Sequence, residues 1–161
     1  MERLEKLSEN YKWIEKIASK IAIELLKTKD MLEEVHDRFF QVYDLSNTKF
    51  NVLVIIYKGC KEKEEMYMSK IGERMLLSNA NITGLIDRLE EQSLVKRVRS
   101  VEDRRKIVIK ITKEGIVCVE TITKDYIIWS KRLMEILSTE ENDQLICLLK
   151  TFQQGIIEME R

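Results

Sequence analysis

The sequence predicts a mainly α-helical chain with one small β-hairpin, its elements in the order α-α-α-α-β-β-α-α. Proline is absent and the glycines (Gly59, Gly72, Gly84, Gly115, Gly155) are scattered, so the chain lacks the turn punctuation of a multi-stranded β protein. In long stretches apolar residues recur every three or four positions, the spacing that lines one face of a helix. Between Leu94 and Thr112 β-branched residues gather into two short, partly alternating runs.

From Tyr11 to about Tyr43, residues Ile14, Ile17, Ala18, Ile21, Leu25, Met31, Leu32 and Val35 fall at helical spacing, giving one long amphipathic helix or two joined ones. Ser46 is placed to cap a second helix that carries Phe50, Val52, Leu53, Ile55 and Ile56 and stops at Gly59, before a polar loop from Lys61 to Glu65. Ser69 caps a short third helix through about Met75, and Ser78 a fourth through about Gln92, with a tight turn between them. The runs LVKRVRS (94–100) and IVIKIT (107–112) pair as a hairpin around the charged tip Val101-Glu102-Asp103-Arg104-Arg105-Lys106. Ile116, Val119, Ile122, Tyr126, Trp129, Leu133 and Ile136 mark a further helix to Leu137. Ser138 with Glu141 then makes a capping-box signature before a last helix through Ile157.

Composition excludes several classes. With 44% apolar and 35% charged residues in 161, the chain has core material enough to fold, at a length usual for one domain that also admits a helical dimer with two lobes per subunit. No apolar run approaches the roughly 20 residues of a membrane helix, and MERLEKLSEN has neither the apolar segment nor the cleavage site of a signal peptide. A cytoplasmic protein without membrane contact is expected. Cys60, Cys118 and Cys147 are odd in number and widely spaced, and His36 is the sole histidine, so neither a disulfide framework nor a metal site is expected, and no cofactor. A glycine-rich phosphate loop, a nucleophile elbow, an HExxH motif and a triad around His36 are all missing, which argues against an enzyme.

Formal net charge is zero, so local charge matters more than the sum. In SNANITGLIDRLEEQ (78–92), Ile82, Leu85, Ile86 and Leu89 bury one stripe and leave Ser78, Asn79, Asn81, Thr83 and Arg88 on the opposite side. Short hydrogen-bonding side chains with one guanidinium, close to a helix N-terminus, are the groups that read base edges and hold phosphates in double-stranded DNA. From Arg88 to Lys113 the bases Arg88, Lys96, Arg97, Arg99, Arg104, Arg105, Lys106, Lys110 and Lys113 outnumber Glu90, Glu91, Glu102 and Asp103. Either feature alone is ordinary solvated surface. Their conjunction in one order points to a duplex.

That order, SKIGERMLLSNANITGLIDRLEEQSLVKRVRSVEDRRKIVIKITKEG (69–115), resembles the winged helix-turn-helix of the MarR (multiple antibiotic resistance regulator) family, whose architecture the helical flanks also match. The most specific pieces are ITGLIDRLE, LVKR, and Asp103-Arg104-Arg105 followed by ITKEG. The resemblance implies that Ser78, Asn79, Asn81, Thr83 and Arg88 enter the major groove, that Arg104 at the wing tip reaches the minor groove, and that Asp103 and Arg105 pair to hold the wing. Arg97, Arg99 and Lys106 join the DNA-binding set as part of the basic segment. Arginine suits a narrow minor groove, where the negative potential is enhanced and guanidinium is modestly dehydrated. Two positions depart from the family pattern. Ser93 stands where glycine usually follows the recognition helix, and Gly72 stands in place of alanine, a change that weakens its helix by up to about 1 kcal/mol.

These expectations divide the chain into an N-terminal dimerisation region (1–45), a winged DNA-binding lobe (46–113) and C-terminal dimerisation helices (114–161). One recognition helix covers few base pairs, whereas a two-fold dimer reads a palindrome. Trp13, Ile14, Leu145, Leu148, Leu149, Phe152 and Ile156 exceed what a small lobe can cover and suit the homodimer interface. The resemblance further implies a repressor whose affinity is set by a small-molecule effector or an oxidant; His36, Phe40 and Tyr43 are the candidate ligand pocket, and Cys60 the candidate redox thiol. The alternative is a helical interaction protein that keeps the winged fold without binding DNA.

Overall fold

Each helix begins or ends where a side chain or a backbone turn satisfies the groups its last turn leaves open. The computed structural model describes residues 6, 20–76, 79–100, 103 and 105–161, with the side chains of 79 and 80 excepted. The start of the first predicted helix, with Trp13, Ile14 and Ile17, lies outside the described residues. The elements are α1 (Lys20–Gln41), α2 (Asn47–Lys61), α3 (Met68–Met75), α4 (Asn79–Glu91), β1 (Val95–Arg99), β2 (Ile107–Ile111), α5 (Lys113–Met134) and α6 (Thr139–Met159), the expected order. The chain divides into two compact units, Met1–Val119 and Glu120–Arg161.

The predicted caps at Ser46 and Ser138 are present. Ser46 Oγ accepts from the Lys49 N–H at 3.2 Å, and Ser138 and Glu141 exchange side-chain and backbone hydrogen bonds as a capping box. Two expected boundaries move. Helix α3 starts at Met68 behind Tyr67, not at a Ser69 cap, because Tyr67 is held in extended backbone by an antiparallel bridge to Val108. Gly59 does not end α2, which runs to Lys61; it is buried inside the helix, where a Cβ would stand 2.5 Å from Met66 Cγ.

Helices α1 to α4 all end on a non-glycine residue in the left-handed region: Asp44 (φ 54°), Lys63 (φ 57°), Leu76 (φ 53°) and Ser93 (φ 59°). After α4 the Leu94 N–H donates to the Leu89 carbonyl and the Ser93 N–H to that of Glu90, both at 2.9 Å, the paired bonds of a Schellman end. The side chain of Ser93 therefore sits in a conformation that glycine adopts without strain. Ser93→Gly is expected to stabilise the chain by about 0.5–1 kcal/mol in urea unfolding, and no gain would mean that the left-handed turn is unstrained.

The first unit encloses its core between α1, α2, α3, α4 and the hairpin, with Phe40, Val52, Leu53, Ile56, Ile71, Ile82, Ile86, Leu89, Val95 and Val108 all buried. The two strands pair antiparallel, Val95 opposite Ile111 through Arg99 opposite Ile107. The Ile109 N–H donates to the Met66 carbonyl at 2.8 Å, so the hairpin is tied along its length to the segment entering α3. In the second unit Asn142 Nδ2 donates to the Met134, Leu137 and Ser138 carbonyls, which fixes the turn into α6. No residue of α6 is buried, and Leu145, Ile146, Leu148, Phe152, Ile156 and Ile157 are exposed.

Candidate nucleic-acid interface

Helix α4 is amphipathic in the predicted sense. Ile82, Ile86 and Leu89 are 0% exposed, Leu85 is half-buried, and Asn81, Thr83, Gly84 and Arg88 are exposed. Burying that stripe gives the helix one orientation, because rolling it would expose three large side chains at about 1.5–3 kcal/mol each. Ser78 and the side chain of Asn79 lie outside the described residues; the helix itself begins at Asn79.

The hairpin is joined to α4 through Arg97. Its guanidinium forms ion pairs with Asp87 and Glu90, and its backbone N–H donates to Glu90 Oε1 at 2.8 Å. Burial disfavours the charge of Arg97, but the hydrogen bonds it donates to Asp87 and Glu90 outweigh that and raise the pKa above the ordinary arginine range. Neutralising two carboxylates on α4 removes groups that would repel phosphate. Arg97, Arg99 and Arg105 line a surface depression with Val98 and Ile107, and Lys106 Nζ sits 5.5 Å from the centre of the Tyr67 ring.

A hydrogen-bonded cluster fixes the base of the wing. Ser100, 3% exposed, donates through Oγ to Glu65 Oε2 at 2.8 Å, accepts the Asp103 N–H at 3.2 Å, and donates its own N–H to the Lys106 carbonyl at 3.0 Å. Tyr67 Oη donates to the same Glu65 oxygen. Asp103 reaches Arg105 through the Arg105 backbone N–H, which donates to Oδ1 at 3.1 Å, and its carbonyl accepts the Lys106 N–H at 2.9 Å. Arg104 lies outside the described residues. Glu65, Tyr67 and Ser100 are not among the site residues the sequence predicts: a lone serine between charged runs and an acid in a polar loop carry no periodic signal. Beside them Glu64 takes Lys70 and Arg74, and the hydrogen bond from Lys70 leads in holding its carboxyl below the usual range.

The candidate effector residues are spread between core and surface. Phe40 is buried with its ring 5.0 Å from that of Phe50, while His36 and Tyr43 are half-buried, and the His36 Nδ1 lies 2.6 Å from the Leu32 carbonyl one turn back. Cys60 is exposed and opens on a cleft of about 250 Å³ lined also by Ile56, Lys63, Met66, Lys110 and Ile111. Burial pushes the Cys118 thiol pKa up, which suppresses its thiolate. Among the described residues no group of three or more His, Cys, Asp or Glu side chains is placed to hold a metal ion, and no helix is long and apolar enough to cross a membrane.

Comparison with known proteins agrees with this geometry. The MarR family model matches residues 45–107. The Bacillus subtilis HTH-type transcriptional repressor YetL is 27% identical over 142 residues, 88% of this chain and 84% of that protein. The HTH-type transcriptional regulator MhqR of the same organism is 28% identical over 131 residues, 81% of this chain and 88% of that protein. Among solved structures, MepR, a transcription regulator of the Staphylococcus aureus multidrug efflux pump MepA, superposes with a TM-score of 0.70 at 19% identity, over 86% of this chain and 99% of that one. The B. subtilis YusO protein gives a TM-score of 0.65 at 23% identity, over 83% and 92%. With an expected element order, a buried α4 stripe and an arginine-bearing hairpin all in place, the chain is similar over its winged segment, residues 45–107, to the MarR family of transcriptional regulators.

Proposed function

We propose that this DNA-binding regulator acts as a homodimer on a palindromic site in double-stranded DNA, as a repressor whose affinity is set by a small molecule or an oxidant. The observation that carries the proposal is the polar face of α4, turned to solvent by a fully buried apolar stripe and set beside a cationic hairpin. In this reading Asn81, Thr83 and Arg88, with Ser78 and Asn79 at the helix start, contact base edges and phosphates; Arg104 enters the minor groove. Arg99 and Lys106 take backbone phosphates, and Arg97, engaged by Asp87 and Glu90, holds β1 against α4. MepR, which shares the fold, has been crystallised with DNA, and YetL is named a repressor.

The exposed apolar residues of α6, with Gly155 among them leaving open space for a close neighbour, are the surface we assign to the second copy. We place the signal at His36 and Phe40 near the end of α1 and Tyr43 in the turn that follows it, for a ligand, and at Cys60 for an oxidant. The cytoplasm is the proposed compartment.

Fluorescence anisotropy with a labelled duplex from the region upstream of this chain's own gene, read across a salt series, tests the proposal. Counterion release predicts a steep fall in affinity with salt. A flat response or no binding supports the helical interaction protein instead. Arg104→Ala is expected to weaken binding by on the order of 1–3 kcal/mol, and Asn81→Ala or Thr83→Ala to narrow the gap between this duplex and a random one by a similar amount. Parent-like binding by Arg104→Ala contradicts the wing assignment.

A further inference from the structure

We infer that Gly84 is a positioning residue for DNA: its missing side chain lets α4 sit deep enough in the major groove for short side chains to reach the bases. The inference rests on the placement of α4 in DNA proposed above. Gly84 lies inside a helix of 13 residues, where glycine is a poorer helix former than any residue but proline. Among the described residues nothing accounts for it, since a Cβ built there meets no atom within 4 Å. Gly59 and Gly115, by contrast, are pressed against Met66 and Leu94. The helix ends that need a left-handed residue are filled by Asp44, Lys63, Leu76 and Ser93 instead. The chain thus withholds glycine where the backbone favours it and places one where the backbone is weakened by it, a local conflict of the kind that marks a functional position.

The position fits that role. Gly84 follows Asn81 by three residues and precedes Arg88 by four, so all three share the exposed side opposite the buried Ile82, Ile86 and Leu89. A helix with its side chains is about 10–12 Å across and the major groove about 12 Å wide, so one side chain on the inward face decides how far the helix enters. Asparagine and threonine are short, and they touch base edges only if the helix backbone comes close. A long residue at 84 would bridge that gap and hold Asn81 and Thr83 away.

The test uses full-length Gly84→Ala and Gly84→Leu, each melted thermally and titrated by anisotropy against the upstream duplex and a random duplex of equal length. Both variants are expected to melt at or above the parent temperature, because the site is open and both residues favour helix. Affinity for the upstream duplex is expected to fall about tenfold for alanine and about a hundredfold for leucine, while affinity for the random duplex, set by phosphate contacts, changes less than about threefold. Binding by both variants within about twofold of the parent overturns the inference. Asn81→Ala in the same assay separates the causes: if it loses discrimination while the Gly84 variants do not, only the spacing role fails. If Asn81→Ala also binds as the parent does, the placement of α4 in the groove fails and takes the spacing role with it.

Discussion

Gly115→Ala is expected to destabilise the chain by on the order of 3 kcal/mol, a fall of roughly 6–12 °C in thermal midpoint. Gly115 is buried in the first turn of α5, and a Cβ there would collide with the Leu94 carbonyl oxygen while lying 2.7 Å from Ile111 Cγ1 and 3.1 Å from the Leu94 carbonyl carbon. A flexible side chain could swing away; this obstacle is mostly backbone. The Leu94 carbonyl is itself fixed, accepting from the Thr112 N–H and from Thr112 Oγ1, each at 3.1 Å. Thr112 Oγ1 in turn accepts the Gly115 N–H at 2.9 Å and so caps the helix that the new methyl would displace. Because Leu94 also closes the end of α4 and leads into β1, relief of the clash would shift the recognition helix and the wing together. Urea unfolding checks the value, with an unchanged m-value showing that the loss belongs to the native state. A loss below about 1 kcal/mol would mean that the α5 start yields at little cost.

The same turn shows what the sequence carries and what it does not. Periodicity marks the buried face of α4, and Ser46 and the Ser138–Glu141 box are readable because a cap and its helix are adjacent in the chain. The strands were legible to within a residue or so, as Val95–Arg99 and Ile107–Ile111 against 94–100 and 107–112. Gly59 misleads as a helix stop, since its meaning comes from Met66 packing on it, and Ser69 misleads as a cap, since Val108 decides where α3 begins. On the candidate interface, Asn81, Thr83 and Arg88 face outward as the period requires, whereas Arg97 reads as one more cation until the fold brings Asp87 and Glu90 to it. Local chemistry is visible in a chain; pairing between distant segments is not.

Glu65→Ala is expected to remove about 3 kcal/mol of stability and to weaken DNA binding further by loosening the wing. Glu65 accepts from both Tyr67 Oη and the buried Ser100 Oγ, and each hydroxyl that loses this acceptor costs about 1–3 kcal/mol. Ser100 follows β1 at the base of the wing, and through it the Asp103 N–H and the Lys106 carbonyl are set in place. With Glu65 gone, the wing cations proposed to meet DNA would be presented by a hairpin tip free to move, so binding pays an ordering cost that the parent avoids. Glu65→Gln keeps an acceptor at the same place and should lose less than half as much. The decisive measurement is a double-mutant cycle between Glu65→Ala and Ser100→Ala, where a coupling of about 1 kcal/mol or more is expected in unfolding and the same sign in DNA affinity. If the two losses simply add, the contact between them carries no energy, and the wing is held by its strand pairing alone.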